Sequence, residues 1–324
     1  MVLSILVKVF LQPLCFDNTD KATKVTLYNL HNCAINPEGI RQGESFLFAD
    51  LHIHSRYSDG TQSLEEIIEK AKDNNVTLIS ICDHNMTDAY AEMENLRSAN
   101  DIKIIHGVEI TSSIDDTEYH ILAYGLDLRN DALINLLQYN RNVNIDMGNN
   151  LIKEMAIDYP CVSVAEFTNY ERNRKRGGWD SIDYLRNKGL VTDWMSYTEF
   201  ARKYASPLKN DFMSPKDVID IIHDAGGYAV LAHLCHHVKP NISDYKMKAA
   251  QFLDMGIDGF ECYYPSCPPG LTEFLVEYCH KHDLMITAGS DEHGGFIGAP
   301  GDEYYIGAVK TRIGQLNLRN LISA

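Results

Sequence analysis

No C-x-x-C pair occurs among the eight cysteines of this 324-residue chain, which stand at positions 15, 33, 82, 161, 235, 262, 267 and 279. That argues against a zinc knot built on paired thiolates and against a dithiol redox motif. Several of these thiols sit inside apolar runs such as LISICD and GFECYY and read as reduced core residues, which suits a cytoplasmic setting. Positive charge is also scarce, with 29 Lys and Arg against 45 Asp and Glu and a formal net charge of -16. A protein that grips a long polyanion needs positive surface over most of its footprint, so extended nucleic acid is not expected as the main partner. Long apolar runs are missing as well. The nearest, MVLSILVKVFLQPLCF, is interrupted by Lys8 and Pro13, is too short to span a bilayer and has no basic lead or cleavage site. It reads as an added β-strand, and no membrane partner is expected. There is no internal repeat and no low-complexity tract.

What is present is an ordinary globular composition, 45% hydrophobic and 23% charged, on a length that fits one large α/β barrel or two domains. From Phe46 onward, apolar strand-like runs alternate with amphipathic helix-like runs, the pattern of a β/α fold with parallel strands. FLFADLHIH reads as a strand, SRYSDGTQS as a loop, and LEEIIEKAKDNN as a helix with Ser63 as N-cap and Glu66 as its capping-box partner. VTLISICDH, a helix from Ala89 to Arg97, DIKIIHGVEI and EYHILAYGLDL follow. A long helix over Leu133 to Ala156 then breaks the rhythm and leads into a stretch rich in Arg, Lys, Tyr and Trp, which reads as an insertion. The pattern resumes near Ser214 with SPKDVIDIIHDAGG, where Pro in the first turn and Gly at the end mark a helix. The strands YAVLAH, GIDGFECYY and DLMITAGSDEH come next, with helices near Asp244 to Met255 and Leu271 to Lys281. The expected organisation is an N-terminal extension over 1–45, a discontinuous barrel over 46–128 and 206–324, and an inserted, mainly helical cap over 129–205.

Thirteen histidines in a chain of this length produce an H-x-H by chance about half a time, so His52-x-His54 alone says little. Its position says more. Residues two apart on a strand face the same side, so both imidazoles can reach one cation. His84, Glu109, His233, Asp291 and His293 also fall at the expected C-terminal ends of apolar strands, the face where barrels place their active sites. Five strand ends presenting imidazole or carboxylate are hard to explain by packing, because such groups are costly to bury without partners. Cations are the natural partners.

The segments ADLHIHSRYSDG, ICDHN, HGVEIT, EYHILAYG, LAHL and GSDEHG, in this order, resemble the PHP family, named for polymerase and histidinol phosphatase domains. The resemblance runs from about Phe46 to Gly295, the insertion excluded. It implies an α/β fold, a distorted (β/α)7 TIM-like barrel with a trinuclear site at the strand C-termini. By position, His52, His54, Glu109 and Asp291 would hold one metal, Glu109, His120 and His233 a second, and Asp59, His84 and His293 a third. His120 stands at the start of its strand, so its place rests on the resemblance. Two to three divalent ions of manganese, iron or zinc suit donor sets that mix imidazole with carboxylate, and even three would leave the chain well below neutral. The implied reaction is attack of a metal-bridging hydroxide on a phosphoester, with no side-chain nucleophile. Asp83 and Glu261 are candidates to support the ligands from behind.

His31, His106, His223, His236, His237, His280 and His282 read as non-ligands, although His236 and His237 follow His233 closely enough to touch substrate. In the insertion, ERNRKRGG carries Arg172, Arg174, Lys175 and Arg176, the densest positive charge in the chain. It reads either as a solvated loop or as part of a cap that binds a second phosphate or a carboxylate, and Arg141 on the preceding helix is a further candidate. The expected activity is that of a phosphatase acting on a small phosphorylated metabolite, with a nucleotide favoured. Some small family members remove the 3'-phosphate of nucleoside 3',5'-bisphosphates and carry an Arg-Pro-His segment near the end of the insertion, where this chain reads SYTEFARKYAS. Alternatives are a histidinol-phosphate phosphatase, a PHP-type exonuclease, and a non-catalytic metal-binding regulatory protein. All nine ligand positions carry competent residues, which weighs against the last.

Overall fold

In the computed structural model, which describes residues 47–97, 101–115, 117–192, 194–204, 211–295 and 304–322, strand β1 (Phe48–Ile53) leads into helix α1 (Leu64–Asp73). The capping box at Ser63 forms as expected: Glu66 N donates to Ser63 Oγ at 3.3 Å, and Ser63 N donates to Glu66 Oε2 at 2.7 Å. Leu64, Ile67, Ile68 and Ala71 recur at helical spacing and are the residues this helix buries. The extension over 1–45, with the strand expected at its start, lies outside the described residues.

The chain continues through β2 (Val76–Ile81), α2 (Ala89–Arg97), β3 (Lys103–Ile114) and β4 (Thr117–Tyr124). Among the described residues, four α-helices without an intervening strand come next: α3 (Asp131–Asp158), α4 (Val164–Thr168), α5 (Asp180–Asn187) and α6 (Trp194–Tyr204). The alternation then resumes with α7 (Pro215–Asp224), β5 (Tyr228–Leu231), α8 (Ile242–Asp254), β6 (Gly259–Tyr263), α9 (Leu271–His282) and β7 (Met285–Ala288).

The seven strands form one sheet in chain order. It is parallel except at β4, which runs antiparallel to both β3 and β5. The reason is chain length. Only residues 115 and 116 separate β3 from β4, far fewer than a parallel crossover requires, so the two strands form a hairpin. At the other end, Asp291 N donates to His52 O at 2.8 Å and His54 N donates to Glu292 O at 2.9 Å, which brings the segment after β7 against β1.

Ala49, Leu51, Leu78, Leu122, Tyr124, Val230 and Met285 come from five strands and meet in one buried cluster on a single face of the sheet. The opposite face is covered by helices, with Ile67 and Met93 of α1 and α2 in one cluster and Val218, Phe252 and Leu275 of α7, α8 and α9 in another. Residues 131–204 have an apolar core of their own, built on Ile152, Met155, Ile182, Tyr184 and Leu185. Among the described residues, no helix is long and apolar enough to cross a membrane.

Candidate metal centre

The strand ends deliver the expected residues to one place. Between Asp50 and Ile53, β1 has one residue more than the paired stretch of β2, and this bulge falls at the start of His52-x-His54. His84 follows β2 and pairs with Glu109 of β3, and Asn85 N donates to Glu109 O at 2.8 Å. His233 follows β5, while Asp291 and His293 follow β7. His233 and Asp291 have positive φ, 27° and 56°, a backbone region that costs a non-glycine residue energy and that recurs where a site over-determines the geometry. The antiparallel direction of β4 accounts for His120. Although it stands early in its strand, it lies opposite Thr111, level with the C-terminal ends of the parallel strands.

The side chains converge on Glu109, which is wholly buried. Its Oε1 lies 3.0 Å from both His120 Nδ1 and His233 Nε2. Its Oε2 lies 3.3 Å from His52 Nε2, 3.2 Å from His54 Nε2 and 3.1 Å from His84 Nδ1. Asp291 Oδ1 is 3.3 Å from His52 Nε2 and 3.1 Å from His54 Nε2. Asp59 approaches His293 Nε2 at 3.4 Å and His84 Nε2 at 3.8 Å. His54 faces Asp59 as well, through Nδ1 at 3.7 Å, so this ring stands between two of the expected ligand sets.

Burial works against charge here, yet charge is concentrated. Burial lowers the His52 imidazole, but Glu109, Glu261 and Asp291 outweigh it and raise the group well above its ordinary range. The same contest leaves His54 pushed up to about 10, with burial opposed by Asp291 and Glu109. Burial likewise opposes ionisation of Glu109, but His52, His120 and His84 hold it well below the usual carboxylate range. At His84 burial wins over Glu109 and Asp59, and the imidazole is held down to about 4.

The donor set fits divalent cations on several observations. Glu109 Oε2, Asp59 Oδ1 and His54 Nδ1 are buried and make no hydrogen bond, an expensive condition for polar atoms. His52 Nε2 and His54 Nε2 face each other at 3.1 Å, and with both rings neutral at most one of the two can donate. Ligand atoms sharing a cation at about 2.1 Å sit about 3.0–3.4 Å from one another, the spacing that recurs around Glu109 Oε2. Among the described residues, three groups bring their ligand atoms close enough for one ion: His52, His54, Glu109 and Asp291, as expected; His84, Glu109 and His120, with His84 where His233 was expected; and His54, Asp59, His84 and His293, with His54 added.

Both residues expected behind the ligands are buried, and their contacts differ. Glu261 Oε1 lies 2.9 Å from His52 Nδ1, and its Oε2 accepts from His233 N at 2.8 Å. Asp83 accepts from Ser55 N at 2.8 Å and Ser55 Oγ at 2.7 Å, and also from Ser58 Oγ, so it pins the loop that joins His54 to Asp59. Three contributors were not visible in the sequence. Tyr264 OH donates to Asp291 Oδ2 at 2.9 Å, Glu118 Oε1 lies 2.8 Å from His120 Nε2, and Trp179 places its ring 5.9 Å from that of His84. Glu118 alone had a local signal, its i, i+2 spacing from His120 on one strand face. Of the remaining histidines, His236 comes nearest, its ring stacked 4.7 Å from that of His233.

The basic candidates separate. Arg172 is nearly buried, donates through Nη2 to Ser58 O, lies 3.2 Å through Nε from Asp180, and leaves Nη1 buried without a hydrogen bond. Arg174 is exposed and donates to Tyr57 O at 3.3 Å, and Arg176 pairs with Asp183 at 2.9 Å. Lys175 is exposed and joins Arg176 and Arg186 in lining a cavity of about 440 Å³ beside Gly294. Arg141 donates to Asn85 O at 3.1 Å, next to His84. With Gly178 N donating to Asp59 O at 2.7 Å, these contacts dock the inserted helices on the loops that carry Asp59 and His84.

A model of the PHP domain family matches residues 50–250. The chain is 26% identical over 268 residues to the 5'-3' exoribonuclease Rnm of Salmonella typhimurium, covering 75% of this chain and 84% of that protein. It is 25% identical over 269 residues to the 3',5'-nucleoside bisphosphate phosphatase of Chromobacterium violaceum, covering 78% and 88%. Among solved structures, a candidate metal-dependent phosphoesterase from Bifidobacterium adolescentis superposes with a TM-score of 0.66 at 24% identity, over 82% of this chain and 95% of that one, which shows the shared fold.

Proposed function

This chain belongs to the PHP domain family and is a metal-dependent phosphoesterase, a hydrolase acting on phosphoester bonds, and we propose that it removes a phosphate from a small phosphorylated metabolite, a nucleotide being the favoured case. The observation that carries this reading is the convergence of eight imidazole and carboxylate side chains around Glu109, with Glu109 Oε2 buried and without a hydrogen bond.

In this reading His52, His54, Glu109 and Asp291 hold one cation, Glu109, His120 and His233 a second, and Asp59, His84 and His293 a third. Two to three ions of manganese, iron or zinc would provide a hydroxide nucleophile near neutral pH and neutralise the phosphoryl oxygens. The protein's own part is to orient. Glu261 holds His52 through Nδ1 and so turns Nε2 toward Glu109 and Asp291. Tyr264 occupies Asp291 Oδ2, which leaves Oδ1 facing His52 and His54. Asp83 fixes the loop that sets the distance between His54 and Asp59.

Residues 129–205 act as a cap, a role supported by the docking of Arg172, Arg174 and Gly178 on residues 57–59. A helical insertion seated on the rim narrows access and favours a small substrate. Arg172 Nη1 supplies a buried cationic donor for a phosphoryl oxygen, and the cavity of Lys175, Arg176 and Arg186 suits a second anionic group. Arg174 and Arg141 serve to dock the cap.

A second reading, a 5'-3' exoribonuclease, is favoured by the relative from Salmonella typhimurium and opposed by the net charge of -16. Purified protein with manganese should be tested on mononucleotides, nucleoside bisphosphates, histidinol phosphate and short single-stranded RNA and DNA. Phosphate release from the nucleotides supports the proposal. Mononucleotide release from RNA with no turnover of small esters establishes the second reading instead.

A further inference from the structure

Among the described residues, two cavities lie one residue removed from the cluster, and their walls differ in kind. One, of about 440 Å³, carries Lys175, Arg176 and Arg186, and it reaches the cluster through Thr61, whose N–H donates to His293 O at 3.0 Å. The other, of about 470 Å³, is walled by Tyr263, Tyr264, Pro265, Tyr305 and Val309, and no described residue of its lining is charged. Resting on the phosphoesterase reading above, we propose that this second cavity is a subsite for the planar base of a nucleotide whose phosphate lies on the cluster.

Tyr264 joins the two places. It lines the cavity, its hydroxyl donates to Asp291 Oδ2 at 2.9 Å, and its ring stands 5.7 Å from that of His233. A ligand seated there is one side chain away from the reacting phosphate. The lining suits an aromatic group rather than an anion: tyrosines offer flat faces for stacking, and no described residue of the lining is a cation that would attract a phosphate. Charge and aromatic surface are thus sorted into separate cavities beside one centre, as a ligand with both kinds of group requires.

The test compares manganese-loaded protein on adenosine 5'-monophosphate and ribose 5-phosphate, which share the ester and differ in the base. The expected result is a preference of about ten-fold or more for the base-bearing ester, expressed mainly in KM. Tyr305→Ala should collapse that ratio and Tyr305→Phe should retain it. Equal use of the two esters by the unaltered protein would overturn the subsite while leaving the phosphoesterase reading intact. Binding is read separately by saturation-transfer NMR from the protein to the H2 and H8 protons of adenosine. Transfer that is lost in Tyr305→Ala supports the subsite even if no ester is turned over, and absence of transfer to adenosine overturns it.

Discussion

Glu261 Oε1 lies 2.9 Å from His52 Nδ1 with both side chains wholly buried, and this contact turns the opposite ring nitrogen toward Glu109 and Asp291. A histidine whose far nitrogen is fixed in this way has its tautomer and its ring angle set before any cation arrives. Glu261→Gln should therefore weaken manganese binding about 10–100-fold, with turnover restored by excess metal. Isothermal titration against the unaltered protein measures this, and unchanged affinity would show that His52 does not depend on Glu261.

Gly289 tests the same contact from the backbone. A Cβ at this position would meet His52 Cβ and Glu261 Oε1. Gly289→Ala is expected to cost about 1–3 kcal/mol of stability, the scale of overpacking in a close-packed interior, and to lower metal affinity alongside. Urea denaturation with and without manganese separates the two effects.

How much of this could be read from the chain depended on the range of the interactions involved. The capping box of Ser63 and Glu66 is local, and it formed as the residues indicate. Strand-end placement was also legible for His52, His84 and Asp291, because apolar runs mark where strands stop; Glu109 instead lies inside β3, which continues to Ile114 in its hairpin with β4. His120 was not legible on local grounds. Its place at the site follows from a hairpin too short for a crossover, and strand direction is a property of the sheet rather than of the run EYHILAYG. Tyr264 and Trp179 lay beyond sequence reasoning for a different reason: each meets its partner across loops remote in the chain, Asp291 in one case and His84 in the other. The stretch ERNRKRGG showed where positive charge gathers, but only packing distinguishes the nearly buried Arg172 from its exposed neighbour Arg174.

That distinction yields a prediction about catalysis. Arg172 Nη1 is buried without a hydrogen bond, whereas Arg174 is exposed. Arg172→Ala should lower kcat/KM by roughly 10²–10³, the scale for losing one donor to a developing oxyanion, with metal content retained. Arg174→Ala should stay within a few-fold of the unaltered protein. Equal effects would mean that the two residues merely dock the cap.

Metal binding should compete with protons. His52 is raised above its ordinary range and His54 is pushed up to about 10, burial in each case being outweighed by the neighbouring carboxylates, so in chelator-treated protein the carboxylates favour a proton on this facing pair of rings. Cations require the bare nitrogens. Binding must then expel protons, and affinity must rise with pH; His84, held down to about 4 by burial, has no proton to lose. Titrating manganese at neutral pH in buffers of different ionisation enthalpy should show net proton release. Net uptake, or affinity that falls with rising pH, would contradict the ligand assignment.

Whether these nine residues hold the cations that make the chain a phosphoesterase is decided by measuring bound manganese and phosphate release together as chelator-treated protein is reloaded. Release should be absent at the start and rise with occupancy to a plateau at two to three ions per chain, and both signals should be lost in Asp291→Ala and His233→Ala with the fold retained. Phosphate release by the metal-depleted protein, or a plateau below one ion per chain, would contradict this assignment.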